Sequence, residues 1–550
     1  MKSTKVAGVW SGHDCSYCVL ENGSPLVHDE LERFIREKEP QGDSIAFLFE
    51  RFEEYRDIKH VATCYPLEKV TQHEKSFAKI KEIVERNGGN IYVVGHHQSH
   101  AANTFFSSNL QKATIVTLDG GGAEGDNRTT ACTIWTGENS KISHVHTFDL
   151  NELNIGGIWT RSTRYIFNLQ SGWPTGHQAG SVMAMAAFGD RDKYHNDFLR
   201  MLTDDNAMAS HKPANQPKGA NTGNDPKHPY LQRYREIADS SEEERFNLAA
   251  GLQSATEATI KNLLSQIFSQ IPTENLCLSG GVTLNCVAVG KIKEWFPFIK
   301  NVYITPTPHD GGLTLGAAQY VWHHVLQNPR IQWKDNFTPY LGRKYEKDEI
   351  YDALSEMSSE VTFRQAEDRQ VIEHLLNQKI VSVFGGGSES GRRALGCRSI
   401  LADPRSETMK DTINEKVKHR QWWRPFAPSM LREDVSEWCT KDDDSPYMNI
   451  VFRFKEDKKK LVPAVVHRDG SARVQTVLEN DNPWYYRFIK KWKDATGVPI
   501  LLNTSFNDRE PICETPKHAI ACFLGTDIDY LYFYDYNLLV EKETNEDSNQ

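Results

Sequence analysis

His96 and His100 stand four apart in Gly95-His96-His97-Gln98-Ser99-His100-Ala101. The apolar run Ile91-Tyr92-Val93-Val94 ahead of them reads as a short buried strand. Ala101–Phe106 behind them reads as the first turns of a helix. Residues four apart on a helix share one face, about 6 Å apart at Cβ. Two imidazoles so placed can hold one metal ion. Asp119 follows a second apolar strand, Thr114–Leu118, and leads into Gly120-Gly121-Gly122. Two histidines and an aspartate make a facial set that suits iron, manganese or zinc and leaves positions open for a substrate. Asp310, in His309-Asp310-Gly311-Gly312, is a candidate for a further ligand. The competing reading is a pair of hydrogen-bonded histidines at a helix start.

A second set of residues is cationic. The apolar stretch Lys379–Phe384 runs into Gly385-Gly386-Gly387-Ser388-Glu389-Ser390-Gly391-Arg392-Arg393-Ala394-Leu395-Gly396-Cys397-Arg398. A strand, a glycine loop and arginines in that order suit phosphates. Lys416, Lys418, His419, Arg420 and Arg424 follow, interleaved with Trp422, Trp423 and Phe426. The interleaving fits a shaped pocket better than a solvated basic face, and arginine is favoured for phosphate. Asn503-Thr504-Ser505-Phe506-Asn507 reads as a polar loop after the strand Val498–Leu502. Two smaller features join these. His13 and Asp14 sit at a turn between two strands, either presented to a cleft or forming a plain Asx turn. Ser279-Gly280-Gly281-Val282, at a strand end, offers bare backbone N–H groups of the kind that bind phosphate.

The elements that must position these groups alternate strand and helix. Residues 6–10 and 15–20 read as strands closed by an Asn22-Gly23 turn. The charged segment 29–38 reads as a solvated helix start, and helical spacing runs through 44–55 and 68–87. Residues 130–135 and 142–148 alternate like paired strands, and a long helix spans 242–270. Two strand–loop–helix units follow, 275–288 and 302–323, and in open α/β sheets ligands collect at such strand ends. Residues 203–229 are rich in Asn, Pro, Gly and Lys and read as an exposed insertion. A linker near 333–347 divides the chain into domains at 1–343 and 344–550, and the last ten residues are expected to fray.

The whole chain sets bounds. At 550 residues, more than one core is needed. With 39% hydrophobic and 25% charged residues it is an ordinary globular composition. The net charge of −10 gives no support to a general nucleic-acid or membrane-surface role. No apolar run approaches the ~20 residues of a membrane span. The ten scattered cysteines read as free thiols of a reducing cytoplasm, Cys15 and Cys18 as strand residues, and the start of the chain lacks a signal-peptide core.

These stretches together resemble the O-carbamoyltransferases of nodulation-factor, cephamycin and aminoglycoside biosynthesis. The resemblance covers most of the chain. It is carried by Arg393-Ala394-Leu395-Gly396, Arg398–Arg405, Arg424-Pro425-Phe426-Ala427-Pro428-Ser429 and Asn503–Asn507, with the His13-Asp14 turn, Glu32-Arg33-Phe34 with Arg36 and Lys38, the histidine pair and Ser279–Asn285 in the expected order. It implies an actin-like (ASKHA) N-terminal domain, similar to the metal-dependent threonylcarbamoyl transferase of tRNA modification. It also implies a C-terminal YrdC-like α/β domain, similar to the carbamoyl-adenylate-forming partner of that system. The implied reactions are formation of carbamoyl adenylate from carbamoyl phosphate and ATP in the C-terminal domain, then transfer to a hydroxyl of a small-molecule acceptor in the N-terminal domain, with AMP leaving.

By the same resemblance, His96, His100, Asp119 and Asp310 hold Fe²⁺ or another divalent transition metal. Gly120, Gly121, Ser279, Gly280, Gly281, Val282 and Asn285 hold the adenylate. Arg393, Arg398, Lys418, Arg424, Arg473, Asn503 and Ser505 hold ATP, accompanied by Mg²⁺, and carbamoyl phosphate. His13 is the proton acceptor, as a neutral imidazole near pH 7, and Lys38 faces the carbamoyl oxygen. The sequence departs from the family at Asp508-Arg509-Glu510-Pro511, which lacks a usual glycine, and at Ser181 and Ala184, where Lys and Gly are usual. The second departure bears on which acceptor is used. Competing functions are a tRNA-modifying transferase of the related type and a non-enzymatic, nucleotide-switched binding protein. No nucleic-acid or membrane partner is expected. The acceptor, the native metal and the oligomeric state, a homodimer among the options, stay open.

Overall fold

The structure is a computed structural model and describes residues 3–65, 73–123, 129–150, 152–169, 178–203, 229–331 and 339–543. The expected insertion at 203–229 lies almost wholly outside the described residues. The chain divides into two compact units, Met1–Glu32 with Lys38–Phe337, and Arg33–Glu37 with Thr338–Gln550.

The first unit holds two five-stranded sheets. One contains β1 (Lys5–Trp10), β2 (Ser16–Glu21), β3 (Ser24–Glu30), β4 (Ile58–Thr63) and β5 (Ile91–Val93), in the order β3-β2-β1-β4-β5. The other contains β6 (Lys112–Ala123), β7 (Thr129–Glu138), β8 (Lys141–Asp149), β9 (Asn275–Ser279) and β10 (Asn301–Ile304), in the order β10-β9-β6-β7-β8. In both, three strands form an antiparallel meander and two more add in parallel beside the first. One topology therefore occurs twice. Asn22 and Gly23 both take positive φ, 50° and 87°, which the tight β2–β3 turn requires. The helix Glu242–Gln270 starts at Ser241, whose hydroxyl accepts from the Glu244 N–H, with three glutamates in its first turn.

The second unit is built on an eight-stranded mixed sheet. Its strands are β11 (Val361–Gln365), β12 (Val381–Phe384), β13 (Arg398–Ala402), β14 (Ala427–Leu431), β17 (Gln475–Val477), β18 (Ile500–Ser505), β19 (Tyr530–Phe533) and β20 (Leu538–Lys542), in the order β11-β20-β19-β12-β13-β18-β14-β17. β15 (Val451–Arg453) and β16 (Ser471–Arg473) form a separate pair. Alternate side chains of the central strands enter different cores, as the two-residue period of a strand demands. Ile400, Ile500, Leu502, Leu531 and Phe533 join one core with the helices Lys347–Glu356 and Pro516–Leu524. Val381, Leu401, Leu501 and Tyr532 join the other with the helices Asp368–Leu376 and Pro483–Thr496. Helices on both faces explain why these strands read as continuous apolar runs.

Two sequence expectations are corrected. Residues 29–38 are not a solvated helix start. Asp29, Glu30 and Arg33 are buried, and the helix Glu32–Ile35 is a single turn. Asn503-Thr504-Ser505 is not a loop but the end of β18, paired with β13 and, through Asn503, with β14. Among the described residues no helix is long and apolar enough to cross a membrane, and all ten cysteines are free and buried.

Trp492 is fully buried in the second core. Trp492→Ala is expected to destabilise the second unit by about 3–5 kcal/mol, read from the midpoint of its denaturant transition. A loss below ~1 kcal/mol would mean that this core face does not hold the sheet.

Candidate functional sites: a metal cluster and a cation cluster

The helix His96–Phe106 is anchored by its apolar end. Ala101, Ala102, Phe105 and Phe106 pack with Ile115, Trp135 and Cys277. That leaves its first turn to present His96 and His100, whose ring centres lie 4.9 Å apart. Asp119 stands where β6 leaves its ladder with β7, at a bulge between Leu118 and Gly122. A Cβ at Gly122 would lie 2.2 Å from the His96 ring, so glycine is needed there for the imidazole to fit. Asp310 follows β10 at the start of the turn Asp310–Gly312.

The four side chains converge. His96 Nε2 lies 3.2 Å from Asp119 Oδ2 and 3.6 Å from Asp310 Oδ1; His100 Nε2 lies 3.4 Å from Asp310 Oδ1 and 4.0 Å from Asp119 Oδ2. Their ligand atoms all lie within 4.8 Å of one another. Burial raises both carboxyl pKa values, but the neighbouring imidazoles reverse this. His96 and His100 hold Asp119 well below the usual carboxylate range, and His96 and His13 lower Asp310. Ser279 Oγ lies 3.3 Å from His100 Nδ1 and donates to Pro308 O. It therefore accepts from Nδ1–H, leaving the lone pair on Nε2. That Nε2 is buried with no hydrogen-bond partner among the described residues. Two nitrogens and two carboxylates, one nitrogen orphaned and its tautomer fixed by a hydroxyl, fit a divalent transition metal. His97 is turned away, accepting from Thr117 Oγ1 and donating to Thr130 O, and burial lowers its pKa to about 3.

His13 lies beside the cluster. Its Nδ1 is 3.1 Å from Asp14 Oδ2 and its Nε2 3.2 Å from Asp310 Oδ2. Burial lowers its pKa, but Asp310, Asp14 and Asp119 outweigh burial and raise it to about 10. In this field the carboxylates favour the imidazolium over the expected neutral imidazole. A cation shared by Asp119 and Asp310 would offset that field. Trp10 carries no signal in the sequence, yet its Nε1–H donates to His13 O at 2.7 Å and its ring meets the His96 ring edge-on at 5.7 Å. Glu30 was also passed over, and its Oε1 lies 3.1 Å from Nε2 of His309. Lys38 is half-buried in a bend.

The residues expected at adenosine divide. Gly281 N–H donates to Asp119 Oδ1 at 2.9 Å. Gly280 needs its φ of +95°, because a Cβ would lie 2.1 Å from Leu118 O. Ser279 faces His100, and Asn285 caps its helix at Ala288 N–H while bonded to Gln253. Gly120 is exposed, Gly121 and Val282 border the same turns, and Gly156 approaches Gly120 so closely that a Cβ would lie 2.6 Å from its Cα.

In the second unit, Arg420, Arg424 and Arg473 form a cluster of like charge. Burial, then Arg424 and Arg473, push the Arg420 pKa well down; burial, then Arg473, lower Arg424 to about 10. Among the described residues no carboxylate pairs with any of the three. The Arg473 Nε is buried without a partner. Arg420 reads in the sequence as one further cation of the 416–424 run. Lys418 is 3% exposed and donates to Ser505 O at 2.8 Å and to Asn507 O and Oδ1 at 2.6 and 2.5 Å. Its charge thus meets neutral oxygens there, and it fixes the turn at Ser505. Arg393 is half-buried two residues past Gly391.

Two expectations for phosphate contact are corrected. Arg398 is fully buried and donates to Gly385 O at 2.7 Å and Cys397 O at 3.0 Å, its guanidinium over the Phe384 ring. Asn503 is buried, donating to Ala394 O, Ser429 Oγ and Gln475 Oε1. Both hold the scaffold. The glycine loop is likewise occupied from within. Glu389 Oε1 accepts from the N–H groups of Leu395, Cys397 and Arg398 at 2.7–3.1 Å.

Comparison with known proteins matches residues 68–319 to the model described as Carbamoyltransferase N-terminus and residues 372–542 to Carbamoyltransferase C-terminus. The chain is 33% identical to nodulation protein NolO of Bradyrhizobium diazoefficiens over 458 residues, 80% of this chain and 77% of that protein. It is 30% identical to the 3'-hydroxymethylcephem-O-carbamoyltransferase of Amycolatopsis lactamdurans over 345 residues, 62% of this chain and 61% of that protein. Against a crystal structure of full-length HypF it is 14% identical, covering 59% of this chain and 56% of that one with a TM-score of 0.36, too low a likeness to assign the fold.

Two outcomes test these sites. His100→Ala is expected to abolish tight binding of one divalent transition metal, and Ser279→Ala to weaken it about 10–100-fold, measured by equilibrium dialysis and metal analysis. Inorganic pyrophosphate is expected to raise the melting temperature, the stabilisation reaching ~2.7 kcal/mol at a hundredfold excess over Kd. Arg424→Gln should melt higher than wild type without the anion, because like charge is relieved, and gain less from it. A variant that melts lower without anion and responds fully would contradict the cluster.

Proposed function

The chain belongs to the carbamoyltransferase family and transfers carbamoyl groups, and from that premise we propose a two-centre, ATP-dependent O-carbamoyltransferase acting on a small-molecule hydroxyl. In the second unit, water cleaves carbamoyl phosphate to carbamate and phosphate. The carbamate oxygen attacks the α-phosphorus of ATP, giving carbamoyl adenylate and releasing pyrophosphate. In the first unit, the acceptor's hydroxyl oxygen bonds to the carbamoyl carbon and the C–O bond to AMP breaks. The observation that carries the reading is the half-buried cluster of Arg420, Arg424 and Arg473, which lacks an acid among the described residues. A polyanion such as ATP is the chemistry that satisfies it.

Arg393, Arg424 and Arg473 neutralise phosphates, Lys418 keeps Ser505 and Asn507 in place beside them, and Mg²⁺ accompanies ATP. His96, His100, Asp119 and Asp310 would hold Fe²⁺ or a similar divalent ion, which would supply a Lewis acid for phosphate oxygens. Gly120, Gly121 and Val282 border the adenylate, while the N–H groups of Gly280 and Gly281, which already donate to Pro308 O and Asp119 Oδ1, shape the turn beside it. With a cation held by Asp119 and Asp310 offsetting their field, a neutral His13 would receive the acceptor's proton at Nε2 while Asp14 holds Nδ1, and Lys38 faces the carbamoyl oxygen as charge develops on it. The duplicated sheet topology of the first unit supports an actin-like fold. The second unit, with helices on both faces of a mixed sheet, is assigned as YrdC-like on the family resemblance. ATP and carbamoyl phosphate, with ten free thiols, fit a cytoplasmic enzyme.

The test is pyrophosphate release by purified protein with ATP and Mg²⁺, with and without carbamoyl phosphate. Release that requires carbamoyl phosphate and is lost in Lys418→Ala is the expected result. Equal release in both conditions would remove the adenylate from the scheme.

A further inference from the structure

Residues Arg33–Glu37 come from the N-terminal part of the sequence yet belong to the second unit. Within that unit Arg33 is 2% exposed, and its Nη2 donates to Glu389 O at 2.8 Å and Gly391 O at 2.7 Å. Its Nη1 lies 3.9 Å from Glu514 Oε2. Arg36 grips a second loop. Its Nε and Nη2 meet the two carboxylate oxygens of Glu510 at 3.2 and 2.9 Å, Nη2 also donates to Pro511 O at 2.5 Å, and Nη1 donates to Ile512 O at 2.7 Å. Nη1 donates to Arg33 O as well, joining the two arginines. Arg36 takes a φ of +62°, a conformation that a non-glycine residue keeps only where its surroundings hold it.

The two loops so gripped are the ones that carry the proposed phosphate ligands. Gly391 is followed at once by Arg392 and Arg393. Glu510 O accepts from Asn507 Nδ2 at 2.7 Å, and Asn507 in turn accepts from Lys418 and Ser505 Oγ. A guanidinium that forks onto a carboxylate and several carbonyls fixes orientation as well as distance, which an ammonium does not.

We propose that Arg33 and Arg36 are positioning residues for the ATP and carbamoyl phosphate site of the second unit, a strap that holds the Arg393 loop and the Ser505–Ile512 loop in register. This rests on the reading of that site given above. It also places the strap directly ahead of Lys38 in the chain, so that the segment ordering the adenylate-forming loops leads covalently into the residue assigned to the carbamoyl oxygen.

The experiment uses the full chain. Arg36, partly exposed, is the first target. Arg36→Ala is expected to raise the KM for ATP and for carbamoyl phosphate in the pyrophosphate assay by about tenfold or more, with a smaller fall in kcat. A merely structural loss would lower the active fraction and leave KM unchanged. Millimolar guanidinium ion is expected to restore KM, and Arg36→Lys, which keeps the charge without the fork, to restore it only in part. Arg36→Lys also carries the test if the Ala variant fails to fold. Amide hydrogen exchange gives a second readout that needs no activity. Residues 508–513 should exchange about tenfold faster in Arg36→Ala, and 389–393 in Arg33→Lys, while β6 and β9 stay unchanged. Unchanged KM and unchanged exchange in a folded variant overturn the strap. If wild type releases no pyrophosphate, the functional reading fails, and the strap is then decided by exchange alone.

Discussion

A charge taken out of water must be met by an opposite charge or by hydrogen bonds, and both sites of this molecule are governed by that requirement. The first unit buries His96, His100, Asp119 and Asp310 together and leaves one ring nitrogen, His100 Nε2, without a hydrogen-bond partner among the described residues. The second unit sets Arg420, Arg424 and Arg473 against one another, so that desolvation and then their like charge depress the pKa of two of them. Neither arrangement is explained by stability, since apolar side chains would fill the same space at lower cost. A ligand of opposite character would satisfy each: a cation in one place, a polyanion in the other. Perturbed ionisable groups gathered in this way mark functional sites more often than structural ones.

The scaffold supplies the geometry at places where the strand ladder is interrupted or ends. Asp119 sits at a bulge in β6, Ser279 ends β9 and Asp310 follows β10. Three adjacent strands of one sheet thus deliver groups to one spot, with the N-terminus of the His96–Phe106 helix delivering two more. Glycines at 122 and 280 permit the approach, the first by clearing the His96 ring and the second through its positive φ and its contact with Leu118 O. In the second unit the same economy appears in reverse. Glu389 occupies the N–H groups of Leu395, Cys397 and Arg398, and Arg398 caps carbonyls of the glycine loop, so the loop is stiffened internally.

Much of this was legible in the sequence, and the limits were physical. The i, i+4 spacing identifies His96 and His100 because helical period fixes a face, and the aspartates are found because each follows an apolar strand. The long helix, the hairpin turn and both strand–loop–helix units follow from period and turn chemistry. What sequence does not carry is direction and depth. Arg398 and Arg424 look alike as letters, yet one is fully buried on carbonyls and the other faces a second arginine. Asn503 reads as a loop residue because its side chain is polar, but tertiary bonds to Ala394, Ser429 and Gln475 draw it into a strand. Ser279 carries the signature of a phosphate turn, and only its 3.3 Å approach to His100 assigns it to the metal cluster. Arg33 is charged and near other charges, which reads as surface; its partners lie more than three hundred residues away in the chain.

The central claim is that adenylate formation and carbamoyl transfer use separate centres, each complete in its own unit. The most direct test is exchange of labelled pyrophosphate into ATP, dependent on carbamoyl phosphate, in Asp310→Asn. The account predicts that this variant loses its transition metal and still exchanges pyrophosphate at the wild-type rate, because the guanidinium cluster is untouched. Loss of exchange in step with loss of metal would contradict it and place both reactions at a single centre.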